Sequence, residues 1–165
     1  MSKTEQVSSN DVVLRQVVQD DLPVFFSQQM DPDANWMAAF TRRDPTDESA
    51  FNDHWAKILN DPAIIIMTIL YLGRVAGYVL SFVMGSDREV GYWLGRDYWG
   101  KLITTRALAE FLTHLKERPL FAHAAKDNLA SIRVLQKCGF SISGEGKGFA
   151  RARGEEIEEF IFTLS

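Results

Sequence analysis

A strand and the start of a helix are joined in residues 89–101, EVGYWLGRDYWGK. Residues 90–94 are apolar or aromatic, which is typical of a strand, and the glycines and charges of residues 95–100 end it. From Lys101 to about Glu117 apolar residues recur at helical spacing, which predicts an amphipathic helix. A strand that leads directly into a helix leaves free backbone N–H groups, which can bind an anion such as pyrophosphate.

A second junction of the same kind follows. Residues 120–125, LFAHAA, are predicted to form a strand, and Asp127 or Asn128 can cap the helix behind it. Gly139 stands where a left-handed residue commonly ends a helix. Many α/β proteins have such junctions, so these two alone are a weak indication of an anion site.

The remaining strands are predicted from short apolar runs. They cover residues 12–18, 64–71, 75–83, 141–143 and 157–164. Gly73-Arg74 joins two of them as a hairpin turn. Residues 144–156, which contain three alternate glycines, are expected to form a flexible loop that could cover a site.

Two helices are predicted in the N-terminal third. Asp20 or Asp21 can cap a short one, which residues 31–33 would end. A longer one is expected behind residues 44–47, with Asp44 as its cap. Its apolar stripe consists of Phe51, Trp55, Ile58 and Leu59. The resulting order, β-α-α-β-β-β-α-β-α-β-β, predicts an α/β (α+β) fold with a mixed sheet flanked by helices.

Composition excludes several classes of protein. The 165 residues correspond to one domain, and a net charge of −4 argues against binding of nucleic acid. Residues 1–10 are polar and do not resemble a secretory signal, and Gly73-Arg74 interrupts the most apolar stretch, so no membrane span is expected. We therefore expect a cytoplasmic protein with a polar segment over residues 1–10 and one domain over residues 11–165.

Several catalytic motifs are missing from the sequence. There is no His-Glu-x-x-His motif, no Walker loop and no Gly-x-Ser-x-Gly elbow, so no metal site is expected. Cys138, the one cysteine, is better interpreted as a small buried hydrophobe than as a nucleophile. His123 lies on a predicted strand at the edge of a cleft, which makes it a candidate site residue.

Two stretches resemble the signatures of a known family. Residues 89–101 are similar to the fourth strand and acetyl-CoA loop of GNAT-superfamily N-acetyltransferases. Residues 127–140, DNLASIRVLQKCGF, resemble the second signature of that family, Asn-x-x-Ser followed by Lys-x-Gly-Phe. The resemblance is greatest to the branch that includes the ribosomal-protein N-terminal acetyltransferases.

The resemblance implies a single GNAT-like domain with a splayed sheet and acetyl-CoA as co-substrate between the fourth and fifth strands. Backbone near Trp93 and Leu94 would bind the pantetheine arm, and Asn128 and Ser131 would line the thioester end. The pyrophosphate would lie on the segment formed by Trp99, Gly100, Lys101, Leu102, Ile103 and Thr104.

One position departs from the pattern of this branch, Trp-Gly-x-Gly-x-Ala. Leu102 stands where that pattern has its second glycine, and Thr104 replaces the small residue at its end. A leucine side chain could enter the space of the pyrophosphate or change the backbone. An alternative to the enzyme is therefore a non-catalytic GNAT-like module that binds a ligand or a protein partner.

Residue roles follow from the same resemblance. Glu89 is the candidate base, and the competing interpretation is a solvent-facing acid on a strand. Many relatives have a general-acid Tyr at the position of Leu135, and its absence makes Ser131 the candidate donor to the thiolate.

The acceptor side is expected to come from the first helices and from the strands that border the cleft. The candidate substrate-binding residues are Trp36, Phe40, Tyr92 and His123. The acceptor would be the primary amine of a small molecule or of a polypeptide N-terminus. A homodimer through a sheet edge is compatible with this organisation, although no motif specifies one.

Overall fold

The computed structural model describes residues 11–41 and 44–165. Within these residues the chain forms one seven-stranded sheet with the strand order β1-β2-β3-β4-β5-β7-β6. The strands are β1 Val12–Gln16, β2 Ile65–Tyr71, β3 Arg74–Met84, β4 Asp87–Leu94, β5 Leu120–Ala125, β6 Ser141–Ala150 and β7 Glu155–Leu164. The helices are α1 Leu22–Gln29, α2 Pro32–Ala38, α3 Glu48–Asn60, α4 Ile103–His114 and α5 Leu129–Lys137.

The sheet has two antiparallel halves that meet at one parallel pair. Strands β1 to β4 pair in antiparallel order, and so do β5, β7 and β6. Between the halves, β4 and β5 run parallel, and their register joins Glu89 to Phe121. The prediction of a mixed, splayed sheet in a single α/β domain is therefore confirmed.

Helices cover both faces of the sheet. On one face, α4 and α5 bury Leu108, Phe111 and Leu135 against strand residues such as Val79 and Phe162. On the other face, α1 and α3 form an aromatic cluster against β2 and β3, and its buried members include Phe25, Phe51, Trp55 and Ile58. The predicted stripe of α3 is thus the buried face of that helix.

Helix α2 was not predicted. Residues 31–33 were expected to end the first helix, but the Asp31 carboxylate accepts hydrogen bonds from the N–H groups of Asp33 and Ala34 and caps a new helix. Pro32 occupies its first position, where its fixed φ favours a helix. The segment is only seven residues long, so its apolar residues show no clear helical period.

The prediction of a loop over residues 144–156 was wrong. Strand β6 continues to Ala150, and only a tight turn separates it from Glu155, the first residue of β7. The three alternate glycines lie on one face of this hairpin, and a Cβ atom at Gly148 would lie 3.0 Å from the Phe40 ring. Here glycine makes room for a neighbouring side chain and does not break the strand.

Two helix starts were also placed wrongly. The Asp47 side chain, and not Asp44, caps α3 by accepting from the N–H of Ala50 at 3.0 Å. Helix α4 begins at Ile103, two residues later than expected, because Leu102 is left-handed. The polar segment expected over residues 1–10 lies outside the described residues. Among the helices that are described, none is both long and apolar enough to cross a membrane.

Gly77 is the tightest point of the β3–β4 pair. A Cβ atom at this position would lie 2.0 Å from the carbonyl oxygen of Trp93 on the neighbouring strand. Gly77→Ala should therefore destabilise the protein by about 3 kcal/mol, which urea unfolding would measure. Gly144→Ala is the matched control, since its Cβ would meet only the Ile161 side chain at 3.6 Å. Equal stability of the two variants would contradict the steric argument.

Candidate active site

A cleft opens where β4 and β5 separate. The two strands pair at Glu89 and Phe121, near the beginning of each, and beyond that pair the cleft lies between them. Its volume is about 610 Å³, and its walls come from β4, β5, the first turn of α4, one side of α5 and the end of α2. A cleft of this volume is within the usual range for sites that bind small molecules or cofactors.

Most of the residues predicted to form the site line this cleft. They are Phe40, Glu89, Tyr92, Trp93, Leu94, Trp99, Gly100, Leu102, Ile103, Thr104, His123, Asn128 and Ser131. Lys101 instead lines a neighbouring cavity, with its Nζ atom 5.9 Å from the centre of the Tyr71 ring. Trp36 is not among the described lining residues, and its ring packs against the guanidinium group of Arg153.

The start of α4 forms one end of the cleft. The N–H groups of Ile103, Thr104 and Thr105 precede the first bond of the helix, which runs from the N–H of Arg106 to the carbonyl of Leu102 at 3.1 Å. These residues line the cleft, and the first N–H groups of a helix carry a partial positive charge. This end of the cleft is therefore suited to an anion.

Leu102 keeps the backbone conformation that glycine would allow. Its φ is +62°, in the left-handed region, and Gly100 before it has a φ of +79°. The Leu102 side chain is about half exposed and borders the cleft. A left-handed conformation costs a residue with a Cβ atom about 1–2 kcal/mol. With leucine in place of glycine at position 102, the turn is thus still formed, at an energetic cost.

The start of α5 forms the opposite wall. Asn128 caps this helix, since its side-chain oxygen accepts from the N–H of Ser131 at 3.2 Å. Its side-chain amide also donates to the carbonyl of Met37 at 3.2 Å. One residue therefore caps α5 and attaches the end of α2 to it.

A tyrosine on β4 reaches the same wall. The hydroxyl groups of Tyr92 and Ser131 lie 2.6 Å apart and share a hydrogen bond. Burial raises the pKa of Tyr92, so its hydroxyl keeps its proton at neutral pH. Sequence reasoning placed Tyr92 on the acceptor side and did not foresee this pair, because the contact joins residues far apart in the chain.

Glu89 lies at the point where the sheet begins to split. It is buried, and its Oε2 atom is 3.2 Å from the Nε2 atom of His123 on β5. The other ring nitrogen of His123 is 3.3 Å from Oε2 of Glu159 on β7. Glu89 is therefore not a solvent-facing acid. Sequence analysis missed Glu159, although its register opposite Ala125 could have indicated the contact once the sheet order was known.

Helix α2 lies across the opening between β4 and β5, and ion pairs and hydrogen bonds hold it on both sides. Arg96, which follows β4, forms ion pairs with Asp31 and Asp33, and its hydrogen bonds lower the pKa of Asp31. On the other side, the buried Arg153 guanidinium binds Asp127 through two hydrogen bonds of 2.6 and 2.9 Å and donates to the carbonyl of Trp36 at 2.9 Å. These contacts hold α2 over the cleft.

The fold and the site together define an acetyltransferase-like architecture, in which a mixed sheet splits between two parallel strands beside a helix N-terminus. The family model of the acetyltransferase (GNAT) domain matches residues 11–141. Since this match covers most of the chain, the protein belongs to the GNAT acetyltransferase family.

Individual relatives agree with this assignment. The uncharacterized N-acetyltransferase p20 of Bacillus licheniformis is 30% identical over 80 residues, which are 46% of this chain and 45% of that protein. The matched stretch thus spans less than half the length of this curated relative.

Two solved structures share the fold over nearly the whole chain. Spermidine N-acetyltransferase from Vibrio cholerae, in complex with CoA and spermine, has a TM-score of 0.75 at 16% identity and covers 94% of this chain and 96% of its own. Ribosomal-protein-S5-alanine acetyltransferase from Vibrio fischeri has a TM-score of 0.73 at 17% identity and covers 93% of this chain and 92% of its own.

Replacement of Leu102 by glycine should stabilise the protein. The variant removes the left-handed strain but adds flexibility to the unfolded chain, so the expected net gain is about 0.5–1 kcal/mol by thermal or urea unfolding. Leu72→Gly is a matched control away from the cleft, since Leu72 is an exposed leucine with a φ of +51° in the β2–β3 turn. A loss of stability in Leu102→Gly would show that side-chain contacts outweigh the strain.

Proposed function

We propose that this protein is an acetyl-CoA-dependent N-acetyltransferase that acts on the primary amine of a small molecule or of a polypeptide N-terminus. The observation that carries the proposal is the order of groups along one cleft. A helix N-terminus lies at one end, a Tyr92–Ser131 hydroxyl pair lies on the wall, and the buried Glu89 carboxylate lies where the strands converge. Membership of the acetyltransferase family supports it.

The described residues fit acetyl-CoA. The left-handed turn at Gly100 and Leu102 exposes the first N–H groups of α4, which would hold the pyrophosphate. Backbone groups of Trp93 and Leu94 at the open edge of β4 would hold the pantetheine arm. When bound, acetyl-CoA supplies an activated acetyl thioester. The structure of the Vibrio cholerae enzyme contains CoA, which is further support.

Glu89 is suited to accept a proton from the acceptor amine. An amine attacks a thioester only through its nitrogen lone pair, so the ammonium form must first lose a proton. A buried carboxylate at the edge of the cleft attracts the cation and can take that proton. The amine nitrogen then bonds to the acetyl carbon as the carbon–sulfur bond breaks. The nitrogen loses a second proton to become an amide and the thiolate gains one to become the free thiol, so the net proton released is the one that Glu89 accepted.

The Tyr92–Ser131 pair is suited to the leaving thiolate. The electron pair of the broken bond goes to sulfur, and a hydroxyl that donates to this sulfur stabilises the negative charge. Tyr92 takes the place of the general-acid tyrosine that is missing at Leu135, since its hydroxyl reaches the wall of the cleft from β4. Ser131 either donates directly or aligns the tyrosine.

The proposal is tested with the wild-type protein and the Glu89→Gln variant. Free thiol released from acetyl-CoA is measured with a panel of amines that includes a polyamine and a peptide with N-terminal alanine, and CoA binding is measured by calorimetry. Glu89→Gln should lower kcat/KM by about 100-fold or more and leave CoA affinity unchanged, because a neutral amide cannot accept the proton.

Two outcomes would count against this proposal. Wild-type protein that fails to bind CoA at millimolar concentration would favour the alternative of a non-catalytic module, and Leu102→Gly would then be tested for restored binding. Full activity of Glu89→Gln would remove Glu89 from the mechanism.

The role of the hydroxyl pair has its own test. Tyr92→Phe should lower kcat about 10- to 100-fold with little change in the KM for acetyl-CoA, because the donor acts only on the developing thiolate. Ser131→Ala should have a smaller effect. Tyr78→Phe is the control, since burial also raises the pKa of Tyr78, to about 12, but it lies in the aromatic cluster on α1 and α3. Equal loss in Tyr78→Phe would indicate a general effect on packing.

A further inference from the structure

The histidine on β5 joins two carboxylates across the sheet. Nε2 of His123 lies 3.2 Å from Oε2 of Glu89, and Nδ1 lies 3.3 Å from Oε2 of Glu159. Both ring nitrogens are thus within reach of a proton acceptor. His123 and Glu159 lie outside both stretches that resemble the family signatures, residues 89–101 and 127–140.

The strand register places the side chains of Glu89, His123 and Glu159 in one row across the sheet. Phe121, His123 and Ala125 occupy alternate positions of β5 and so point to one face. Glu89 pairs with Phe121 on one side, and Glu159 pairs with Ala125 on the other. His123 therefore stands between the two acids, and the three side chains belong to three adjacent strands, β4, β5 and β7.

Solvent exposure differs along the row. The Glu89 side chain is 9% exposed and Glu159 is 17% exposed, whereas His123 is 35% exposed. Glu89 therefore has little direct contact with water, while the imidazole between the acids is open to it. His123 therefore offers a proton on Glu89 a way to water besides the cleft itself.

The hydrogen-bonding capacity of the His123 ring determines how a proton can pass through it. An ionised carboxylate only accepts, so an imidazole that carries its hydrogen on Nδ1 donates to Glu159. In that tautomer Nε2 carries a lone pair, which can take a proton from Glu89 once Glu89 has itself been protonated by the substrate. Within the described part of the chain, no group of three such side chains is placed to bind a metal ion.

We infer that His123 is the proton relay of this site, a role that rests on the proposed function. The proton lost by the amine moves to Oε2 of Glu89 and then to Nε2 of His123, and the same nitrogen releases it to water, so that both side chains return to their starting state. Glu159 is a positioning residue, since its carboxylate fixes the tautomer and the orientation of the ring. The relay regenerates Glu89 for the next turnover.

The test is chemical rescue. His123→Ala should lower kcat about 10- to 100-fold and change the KM values of both substrates little, because the relay acts on proton transfer and not on binding. Added imidazole should restore the rate in proportion to its concentration. His123→Gln should be as slow as His123→Ala, since an amide can hydrogen-bond to Glu89 but cannot carry a proton. Glu159→Gln should lose less activity than either.

His114→Ala is the matched control, since His114 forms an exposed pair with Glu110 at 3.1 Å on α4. It should keep wild-type kcat and show no response to imidazole. Unchanged kcat in both His123 variants, in an active wild-type background, would overturn the relay alone. Lost activity that imidazole does not restore, with a lowered Tm or a raised KM, would show a structural role and also overturn it. An inactive wild type would overturn the proposed function and the relay together.

Discussion

The split between β4 and β5 is the feature on which the rest of this structure depends. Two parallel strands that paired along their full length would satisfy each other's backbone groups and close the sheet. Here the register holds at Glu89 and Phe121, and the cleft replaces the ladder beyond them. Backbone groups along the open edges are then available to a ligand, because buried N–H and C=O groups need partners. The cleft is thus a gap in the hydrogen bonding of the sheet. Helix α2 connects its two sides through its contacts with Arg96 on one side and with Asn128 and Arg153 on the other.

The parts of this site that sequence could predict are those with a local signal. Residues 89–101 and 120–128 each show a strand that runs into a helix start, and the structure has both junctions. Helix α2 is too short to show a period, and the glycines of β6 are typical of loops although they serve packing. The Tyr92–Ser131 and His123–Glu159 contacts join distant segments, so only the sheet order could reveal them.

Leu102 separates two roles that a glycine in a phosphate loop combines. One is to permit a left-handed turn, and the other is to leave space for the ligand. The structure shows that the turn survives without glycine, since Leu102 has a φ of +62°. The departure from the family pattern therefore bears on the space left for a ligand, because the first residues of α4 still border the cleft.

The charges of the cleft are arranged by sign along its length. The start of α4 offers partial positive charge from backbone N–H groups, whereas Glu89 places a carboxylate where the strands converge. An acidic protein can hold a phosphate-bearing donor at one end and a cationic amine at the other, because each charge is matched locally. The net charge of −4 therefore does not conflict with an anionic co-substrate.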